Sequence, residues 1–282
     1  MPKLPERLGP LKLVQQVGVG KHCQIWEAAT KAGDRVAVKV LLPAVAADPA
    51  QRAYFEHELK VAKSLDHPTC IRIDRLSDEG GLPHLVMEYF PHPNLKKRIQ
   101  AGVEQLAPRL QRLVTELALA LDHVHARGWV HRDVKPENVL ADDDGKVKLI
   151  DFAIATKATG FLGKLLGGKT PPQGSPSYMS PEQIRGQALD ARSDIYSYGC
   201  VLFELLTGRP PYTGTDTNDL LNKHVSAAIP AVDKFNPNAT AAAAKLIRHL
   251  LAKQPAERPK SMQEVLGQLR AICLVEKAAA GA

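Results

Sequence analysis

The sequence predicts an α+β protein in two parts, a small, mostly antiparallel β part followed by a larger, mostly helical part. Three strands are expected within residues 11–42, where apolar and β-branched residues flank turns that contain glycine. Two more strands are expected near residues 71–76 and 83–87. Pro91 and Pro93 then fit a linker better than a helix or a central strand. Beyond them apolar residues recur at helical spacing, so the two parts should meet at these prolines.

The composition indicates a globular protein and argues against a membrane protein and a nucleic-acid-binding protein. The chain has 282 residues, of which 44% are hydrophobic, which suits one large domain or two lobes. No apolar run approaches the roughly 18 residues of a membrane helix, and the start, MPKLPERLGP, does not resemble a secretory signal. We therefore expect no membrane segment and a cytoplasmic location. The net charge is +7, but the basic residues are dispersed and aromatics are only 5%, so no nucleic-acid partner is expected.

The cysteines indicate a reducing environment. There are four, and none has the CxxC spacing of a metal site. They are expected to be reduced and mostly buried. Their positions are Cys23, Cys70, Cys200 and Cys273, of which Cys23 is the exception because it lies in a loop that contains glycine.

The β part contains one loop and one lysine of interest. The turn from Gly18 to Cys23 has two glycines, which let the backbone approach a phosphate and donate N–H groups to it. A hairpin with two glycines is common, so this loop alone is weak evidence. Lys39 lies in the apolar strand RVAVKVLL, where an unpaired charge would be costly.

Local signals also predict the helices. Asp48 and Pro49 suit the N-cap and the first position of a helix that continues to Leu65, with Phe55, Leu59 and Ala62 on one face. Three helices are predicted in the second part, each by a different signal. In chain order the signals are apolar residues at intervals of three and four, apolar residues on all sides, and a capping box. These helices are an amphipathic one from Pro108 to Arg127 that Gly128 ends, a buried one within residues 193–207 that Gly208 ends, and a last one opened by Ser261 and Glu264.

The stretch HRDVKPENVL, residues 131–140, places Asp133, Lys135 and Asn138 in one short polar run. The turn DDDG that follows predicts a hairpin, which should bring Asp151 beside this run. Such an arrangement suits phosphoryl transfer, since Asp133 can take the proton of an attacking hydroxyl and Lys135 can neutralise charge on the phosphoryl group. Asn138 and Asp151 offer the oxygen ligands that Mg²⁺ prefers. The plainer alternative is a polar loop with a chance hairpin behind it.

HRDVKPEN, followed by DFA at residues 151–153, resembles the catalytic and metal-binding loops of eukaryotic-type (Hanks-type) serine/threonine protein kinases, in particular the bacterial members. The resemblance covers roughly residues 10–272 and implies a bilobal, protein-kinase-like fold. It implies transfer of the γ-phosphoryl of ATP to protein hydroxyls, with Asp133 as base and Mg²⁺, or else Mn²⁺, as the metal. The implied divisions are an extension at 1–10, a nucleotide-binding N-lobe at 11–90, a catalytic C-lobe at 91–272 and a tail at 273–282.

The resemblance also assigns a nucleotide site. Lys39 would hold the α- and β-phosphates, with Glu58 as its partner. Glu56 is the rival partner, although it would point to another face of the helix. The other positions implied are the phosphate loop of Val17, Gly18, Gly20, Lys21, His22, Cys23 and Ile25, Met87 behind the adenine, backbone groups of Glu88 and Phe90 at its edge, Ala37 packed on it and Leu140 beneath it.

Among the departures from the family pattern, two bear on whether the chain is fully active. Cys23 replaces the third glycine of the loop, which should stiffen its end and bring a thiol near the nucleotide, unless the residue is merely tolerated. Ala153 replaces the glycine that follows Asp151 and Phe152 in the family. Glycine takes a positive φ freely, whereas alanine would lose about 1 kcal/mol or more. We expect Ala153 to restrict flips of this loop without removing metal binding by Asp151.

Residues 154–182 are rich in glycine and proline, read as a long functional loop, and resemble an activation segment. Their end, GSPSYMSPE, resembles the family's GTPxYMAPE, which makes Ser175 a candidate to bond Asp133 and Lys135. A phosphorylated threonine here could pair with Arg132. The candidates are Thr156, Thr159 and, preferred, Thr170; the resemblance further implies that Asp194 accepts backbone N–H groups of the catalytic loop and that Arg258 pairs with Glu182.

The leading interpretation is an active protein kinase whose partners are a nucleotide, a protein substrate and, for autophosphorylation, a second copy of the chain. Lys135 after Asp133 favours serine and threonine over tyrosine. One alternative is a kinase-like scaffold that transfers little, which Ala153 and Cys23 motivate. The other is a small-molecule kinase on the same fold, against which the GSPSYMSPE segment speaks.

Overall fold

The computed structural model describes residues 4–158 and 173–276, which divide into two compact units. The first unit runs to Pro91 and also contains Ile150–Ile154. The second contains His92–Leu149 and resumes at Ala155. Over the described residues, the first unit is an antiparallel sheet with one α-helix and the second is mostly helical, so the predicted α+β class is confirmed.

The first unit is built on a six-stranded sheet in the order β1-β2-β3-β4-β6-β5, in which all neighbours are antiparallel. Five of these strands lie at the predicted places, and β4 is buried along nearly its whole length. The first strand, β1, was not predicted, because it lies within residues 1–10, which were expected to be an extension. Leu8 and Val38 lie fully inside the core on one face of this sheet. The strands are β1 Arg7–Leu8, β2 Leu11–Val19, β3 Cys23–Ala29, β4 Arg35–Leu41, β5 Ile73–Ser77 and β6 His84–Glu88.

The helix of the first unit, α1, spans Pro49–Lys63 and begins at the predicted cap, where the Asp48 carboxylate accepts the Ala50 N–H at 2.9 Å. The predicted buried face is partly wrong, because Leu59 is only half-buried. Glu58 takes its place, since residues three and four apart share a face and Glu58 follows a buried phenylalanine by three. The buried residues are Phe55, Glu58, Val61 and Ala62.

The second unit consists mainly of helices. The helix predicted from Pro108 begins at Leu110, because Pro108 lies within a 3₁₀ turn, Val103–Arg109. Within residues 4–158 and 173–276, no helix is long and apolar enough to cross a membrane. The helices are α2 Leu95–Ala101, α3 Leu110–Ala126, α4 Pro181–Ile184, α5 Ala191–Thr207, α6 Thr217–Ser226, α7 Ala241–Leu250 and α8 Met262–Arg270. Four short strands accompany them, namely β7 Trp129–Val130, β8 Val139–Ala141, β9 Val147–Leu149 and β10 Thr156–Lys157.

Helix α5 forms the centre of the second unit, as the continuous apolar sequence predicts. Every residue from Ser193 to Leu206 is buried. At Gly199 the helix comes so close to its neighbour that a Cβ would lie 2.8 Å from the Cβ of Leu250. Helix α5 therefore offers a rigid support for the polar side chains that it carries.

The predicted hairpin is confirmed. Strands β8 and β9 pair antiparallel, with Val139 opposite Leu149. Gly145 has φ +86° in the turn, and Asp142 Oδ1 accepts the backbone N–H of Lys146 at 2.8 Å. Because β8 starts directly after Asn138, the hairpin fixes the end of the HRDVKPEN stretch.

All four cysteines lie among the described residues, and none of them forms a disulfide. Cys70 and Cys200 are buried and Cys23 is half-buried. Cys273 is exposed, so the expectation of mostly buried thiols is met less fully than the sequence suggested.

Candidate functional site

The predicted site residues form two groups, one in each unit. In the first unit Lys39, Glu58 and Asp151 are in direct contact. In the second unit the contacts join Asp133, Lys135, Asn138 and Ser175.

Lys39 is the central cation of the first group. Its Nζ donates to Glu58 Oε2 at 2.8 Å and to Asp151 Oδ1 at 3.0 Å. Burial opposes the charge of this lysine, but the carboxylates of Asp151 and Glu58 outweigh that effect and raise the pKa of Lys39. Lys39 is therefore a fixed positive charge on β4.

The choice between two partners for Lys39 is settled by geometry. Glu58 is buried in α1 and makes the contact with Lys39. Glu56 instead accepts a hydrogen bond from Arg52 Nε at 3.0 Å on the exposed side of the helix. The ion pair predicted with Glu58 is present, and the rival pairing with Glu56 is not formed.

The left-handed backbone conformation in the 151–153 loop lies at Asp151, not at Ala153. Ala153 does not have a positive φ, so the alanine carries no left-handed strain in this conformation. The expectation that it restricts flips of the loop stays a prediction. Asp151 itself has φ +66°. A non-glycine residue in this region costs about 1–3 kcal/mol unless its surroundings hold it. Its bond to Lys39 is one such restraint.

The glycine-containing loop is a tight β2–β3 turn in which Gly20 N–H donates to Cys23 O at 2.8 Å. A Cβ at Gly20 would lie 2.9 Å from Cys23 Sγ, so a larger residue there would require the thiol to shift. Burial raises the pKa of Cys23, although Lys39 lowers it in part, so the thiol stays protonated at neutral pH. Of the other predicted loop positions, Val17 and Lys21 are exposed, and Gly18, His22 and Ile25 are half-buried.

The residues predicted around adenine are placed by β4 and β6. Ala37 and Met87 face each other across the two strands, and both are buried. Glu88 is tied to Arg72, since its N–H donates to Arg72 O at 3.0 Å and its side chain accepts the Arg72 N–H at 2.8 Å. Phe90 is half-buried just beyond β6.

One cluster near this strand was missed by the sequence analysis. Tyr89 OH donates to Glu27 Oε2 at 3.0 Å, and Arg35 Nε donates to Glu27 Oε1 at 2.7 Å. The Arg35 guanidinium also lies 4.5 Å from the centre of the Tyr89 ring. The cluster joins β3, β4 and the residue after β6, and pairing across strands gives no local sequence signal.

Asp133 is held from several directions in the second group. Its Oδ1 accepts the Ser175 backbone N–H at 2.9 Å, and its Oδ2 accepts from Lys135 Nζ at 2.6 Å. Lys135 Nζ also donates to Ser175 Oγ at 2.7 Å. The predicted contact of Ser175 with both residues is therefore present.

Asn138 is oriented by its amide nitrogen. Nδ2 donates to the Asp133 backbone oxygen at 2.9 Å and to Asp133 Oδ2 at 3.1 Å. The amide oxygen therefore points away from Asp133, as a metal ligand at this position requires. An amide oxygen such as that of Asn138 is the type of ligand that a hard cation such as Mg²⁺ takes. Leu140 follows in β8 and is half-buried.

Asp194, near the start of α5, supports the backbone that leads into Asp133. Its two oxygens accept the N–H groups of His131 at 2.7 Å and Arg132 at 2.9 Å, as predicted. His125 Nε2 lies 2.8 Å from the same carboxylate. Burial alone would raise the pKa of Asp194, but these hydrogen bonds outweigh it and lower the pKa. Arg132 is held there with φ +70°.

The end of the 154–182 segment is anchored by a buried ion pair. Arg258 donates to both oxygens of Glu182, with Nη1–Oε1 at 2.7 Å and Nη2–Oε2 at 2.9 Å. Ser193 Oγ adds a third bond to Glu182 at 2.8 Å. The predicted pairing is confirmed, and its fork geometry is the strong form of an arginine–carboxylate contact.

The candidate phosphorylation sites are covered only in part. Thr156 is half-buried in β10, where it pairs with Val130. Thr159 and Thr170 lie outside the described residues.

Comparison with known proteins agrees with this arrangement. The protein kinase domain family matches residues 11–268. The chain is 36% identical over 276 residues to a probable serine/threonine-protein kinase of Streptomyces coelicolor, covering 96% of this chain and 41% of that protein. It is 33% identical over 263 residues to the serine/threonine-protein kinase PrkC of Bacillus subtilis, covering 93% and 40%. Identity to PknB of Mycobacterium tuberculosis is 34% over 243 residues, covering 83% and 38%.

These relatives are longer proteins, and the chain spans about two fifths of their length. The match to the family itself extends over nearly the whole chain and includes both units. The chain belongs to the protein kinase domain family.

Proposed function

We propose that the chain is an ATP-dependent serine/threonine protein kinase. The observation that carries the proposal is the hydrogen-bond network around Asp133, in which Lys135, Asn138 and Ser175 all contact one carboxylate. Relatives that carry the name serine/threonine-protein kinase at 33–36% identity support the same conclusion.

Asp133 is assigned as the base that takes the proton of the substrate hydroxyl. Its carboxylate is oriented by the Ser175 N–H, which donates to Oδ1 at 2.9 Å. Lys135, 2.6 Å from Asp133 Oδ2, is assigned to stabilise negative charge on the phosphoryl group in flight. Because the transition state of phosphoryl transfer is loose, these residues act mainly by position and charge.

ATP would supply the phosphoryl group, and Mg²⁺, or Mn²⁺ in its place, would neutralise the phosphates. We assign the metal-ligand role to Asn138 and Asp151, in keeping with a cation that usually takes one or two protein oxygens and completes its shell with phosphates and water. Lys39, whose charge two carboxylates maintain, is assigned to the α- and β-phosphates.

The remaining nucleotide contacts are assigned by the same family pattern. The backbone of the Gly18–Cys23 turn is the proposed phosphate cradle. We further assign nucleotide binding to residues 11–90 and catalysis and substrate binding to residues 91–272, with an extension at 1–10 and a tail at 273–282. The proposed adenine contacts are Ala37, Met87, Glu88, Phe90 and Leu140, and the loop contacts also include Val17, Lys21, His22 and Ile25.

The proposed substrate is a serine or threonine hydroxyl of a protein. The anchored GSPSYMSPE segment supports a protein rather than a metabolite, because the Ser175 contacts and the Glu182–Arg258 pair hold this stretch of backbone in place at both of its ends. Transfer between two copies of the chain is proposed for autophosphorylation.

The test is phosphoryl transfer from radiolabelled ATP by the purified chain, with Mg²⁺ or Mn²⁺ and a library of peptides that contain serine, threonine or tyrosine. We expect label on serine and threonine. Asp133→Asn should lower the rate by roughly 10²- to 10⁴-fold while leaving nucleotide affinity nearly unchanged. Asp144→Asn, in the exposed β8–β9 turn, is the matched control and should behave like the wild type.

Three other outcomes would each point elsewhere. Nucleotide binding without transfer to any peptide would favour the scaffold. Turnover of a small molecule with no labelled protein would favour a metabolite kinase. Autophosphorylation at a rate per molecule that does not rise with protein concentration would contradict transfer between two copies.

A further inference from the structure

We propose that Gln183 is a positioning residue for the catalytic reaction, which couples the end of the 154–182 segment to the peptide group in front of Asp133. The inference rests on the proposed kinase function. It starts from a side-chain amide that joins two distant stretches of backbone. Gln183 Nε2 donates to Arg132 O at 2.8 Å and, by a short contact, to Gln173 O.

Gln183 is itself held firmly. It lies in α4, directly after Glu182, whose buried bond to Arg258 fixes this turn. Its backbone N–H donates to Ser180 Oγ, and the residue is only 2% exposed. The amide therefore has one orientation that its surroundings dictate.

The chemistry of the contact selects glutamine. A primary amide nitrogen carries two hydrogens, and here it meets two carbonyl oxygens, which can only accept. Glutamate has the same shape but offers only acceptors when ionised, and methionine has similar length but no donor. Among the described residues, Gln183 Oε1 is buried without a hydrogen-bond partner, so the two donor bonds alone set the orientation of the amide.

The bond to Arg132 O acts on Asp133 through the peptide plane. Arg132 C=O and Asp133 N–H belong to the same peptide group, and the N–H donates to His131 Nδ1 at 3.2 Å. Both ends of this peptide group are therefore hydrogen-bonded, the carbonyl oxygen to Gln183 and the N–H to His131. Arg132 has φ +70°, a conformation that persists only where the surroundings restrain it.

The bond to Gln173 O ties this plane to the segment that carries Ser175. Gly174 lies between Gln173 and Ser175 and has φ +127°. A Cβ at this position would lie 2.8 Å from both Arg132 O and Gln183 Nε2. Ser175 then donates to Asp133 Oδ1. Asp133 is thus oriented through its side chain by Ser175 and through its backbone by Gln183, and both restraints depend on the position of residues 173–175.

The experiment compares Gln183→Glu and Gln183→Met with the wild type. We expect kcat to fall by roughly 10- to 100-fold in both variants, since a small misplacement of a catalytic group is enough for a loss of that size. KM and Kd for ATP should stay within about twofold. Gln105→Glu is the matched control, because Gln105 Nε2 also donates to a backbone carbonyl, Ala101 O at 2.9 Å, but on the exposed surface.

Unchanged kcat in Gln183→Glu would overturn the inference. So would a loss of kcat that is explained fully by a smaller folded fraction in a thermal unfolding measurement, since that is all a purely structural role predicts. Gly174→Ala perturbs the same carbonyl, so its effect and that of Gln183→Glu should not add in the double variant. Strict additivity would contradict a shared route through Arg132 O.

A second readout separates this inference from the proposed function. Hydrogen exchange at the amides of Asp133 and Ser175 should become faster in Gln183→Glu and stay unchanged in Gln105→Glu. This measurement needs no activity. If exchange is faster in Gln183→Glu but the wild type transfers no phosphoryl group, only the kinase assignment is rejected. Unaltered exchange in Gln183→Glu would reject the role of Gln183.

Discussion

Ser175 donates its backbone N–H to Asp133 Oδ1 at 2.9 Å, across 42 residues of sequence. Lys135 Nζ lies 2.7 Å from Ser175 Oγ and 2.6 Å from Asp133 Oδ2, which closes a ring of three residues. The orientation of Asp133 therefore depends on a residue of the GSPSYMSPE stretch. Ser175 takes part in this ring in two ways, since its backbone N–H donates to Asp133 and its hydroxyl accepts from Lys135. Substitution of the side chain removes only the second of these bonds.

Ser175→Ala should lower kcat about tenfold, because it removes one hydrogen bond to a charged group and keeps the backbone N–H. Ser175→Thr retains a hydroxyl and should stay close to the wild type. Steady-state kinetics with one phosphorylatable peptide checks both variants. Ser226→Ala, which removes an exposed hydroxyl bond to Asn222 O in α6, serves as the control. Equal losses in the alanine and threonine variants would show that the hydroxyl bond is not what matters.

The buried ion pair of the first unit makes a prediction about stability. Glu58→Gln leaves Lys39 with one carboxylate partner instead of two, so the free energy of unfolding should fall by about 3 kcal/mol. Glu56→Gln should have little effect, because Glu56 only pairs with Arg52 at the surface. Urea unfolding at pH 7 measures both changes. If the two variants were equally stable, the burial of the Lys39–Glu58 pair would not have the energetic consequence assigned to it.

Ala153→Gly tests where the strain in the 151–153 loop lies. Since Ala153 does not have a positive φ, glycine relieves nothing there. It adds conformational freedom to the unfolded chain, so stability should drop by about 0.5–1 kcal/mol. The comparison is again urea unfolding of the wild type and the variant. A more stable glycine variant would mean that alanine is strained after all, as the sequence alone suggested.

Local patterns were enough to predict much of this fold. Strands β2 to β6 of the first unit follow from apolar alternation, α1 from the Asp48 cap, and the β8–β9 turn from its Asp-Gly sequence. Several contacts of the candidate site followed from the family resemblance, including that of Asp194 with the backbone before Asp133. In each of these cases the deciding information lies within a few residues or in a recognisable motif.

The contacts that could not be predicted from the sequence join residues that are far apart along the chain. Gln183 meets Arg132 O over 51 residues, and Tyr89 meets Glu27 over 62, and neither pairing has a local signature. The positive φ at Asp151 was not predicted, because a motif specifies residue types but not the dihedral angle that each adopts. Tertiary packing decides these features.

His224 in α6 supplies a titrating group away from the candidate site. It is fully buried, with the Tyr196 hydroxyl 3.0 Å from Nδ1 and the Tyr212 ring 4.9 Å away between centroids. Lys253 Nζ donates to its backbone oxygen at 2.8 Å. Burial, together with the charge of Lys253, lowers the pKa of His224 to about 4.

The folded protein should therefore lose stability as the pH falls from about 6.5 toward 4. In that window the unfolded chain binds a proton on this imidazole and the folded chain does not, so stability is complete above the unfolded pKa and declines below it. Between pH 7 and pH 5 the loss from His224 should be about 2 kcal/mol. In His224→Gln this part of the pH dependence should disappear, although the variant will be less stable at both values. Urea unfolding at the two pH values gives the difference for each protein, and an equally steep decline in the variant would assign the pH dependence to other groups.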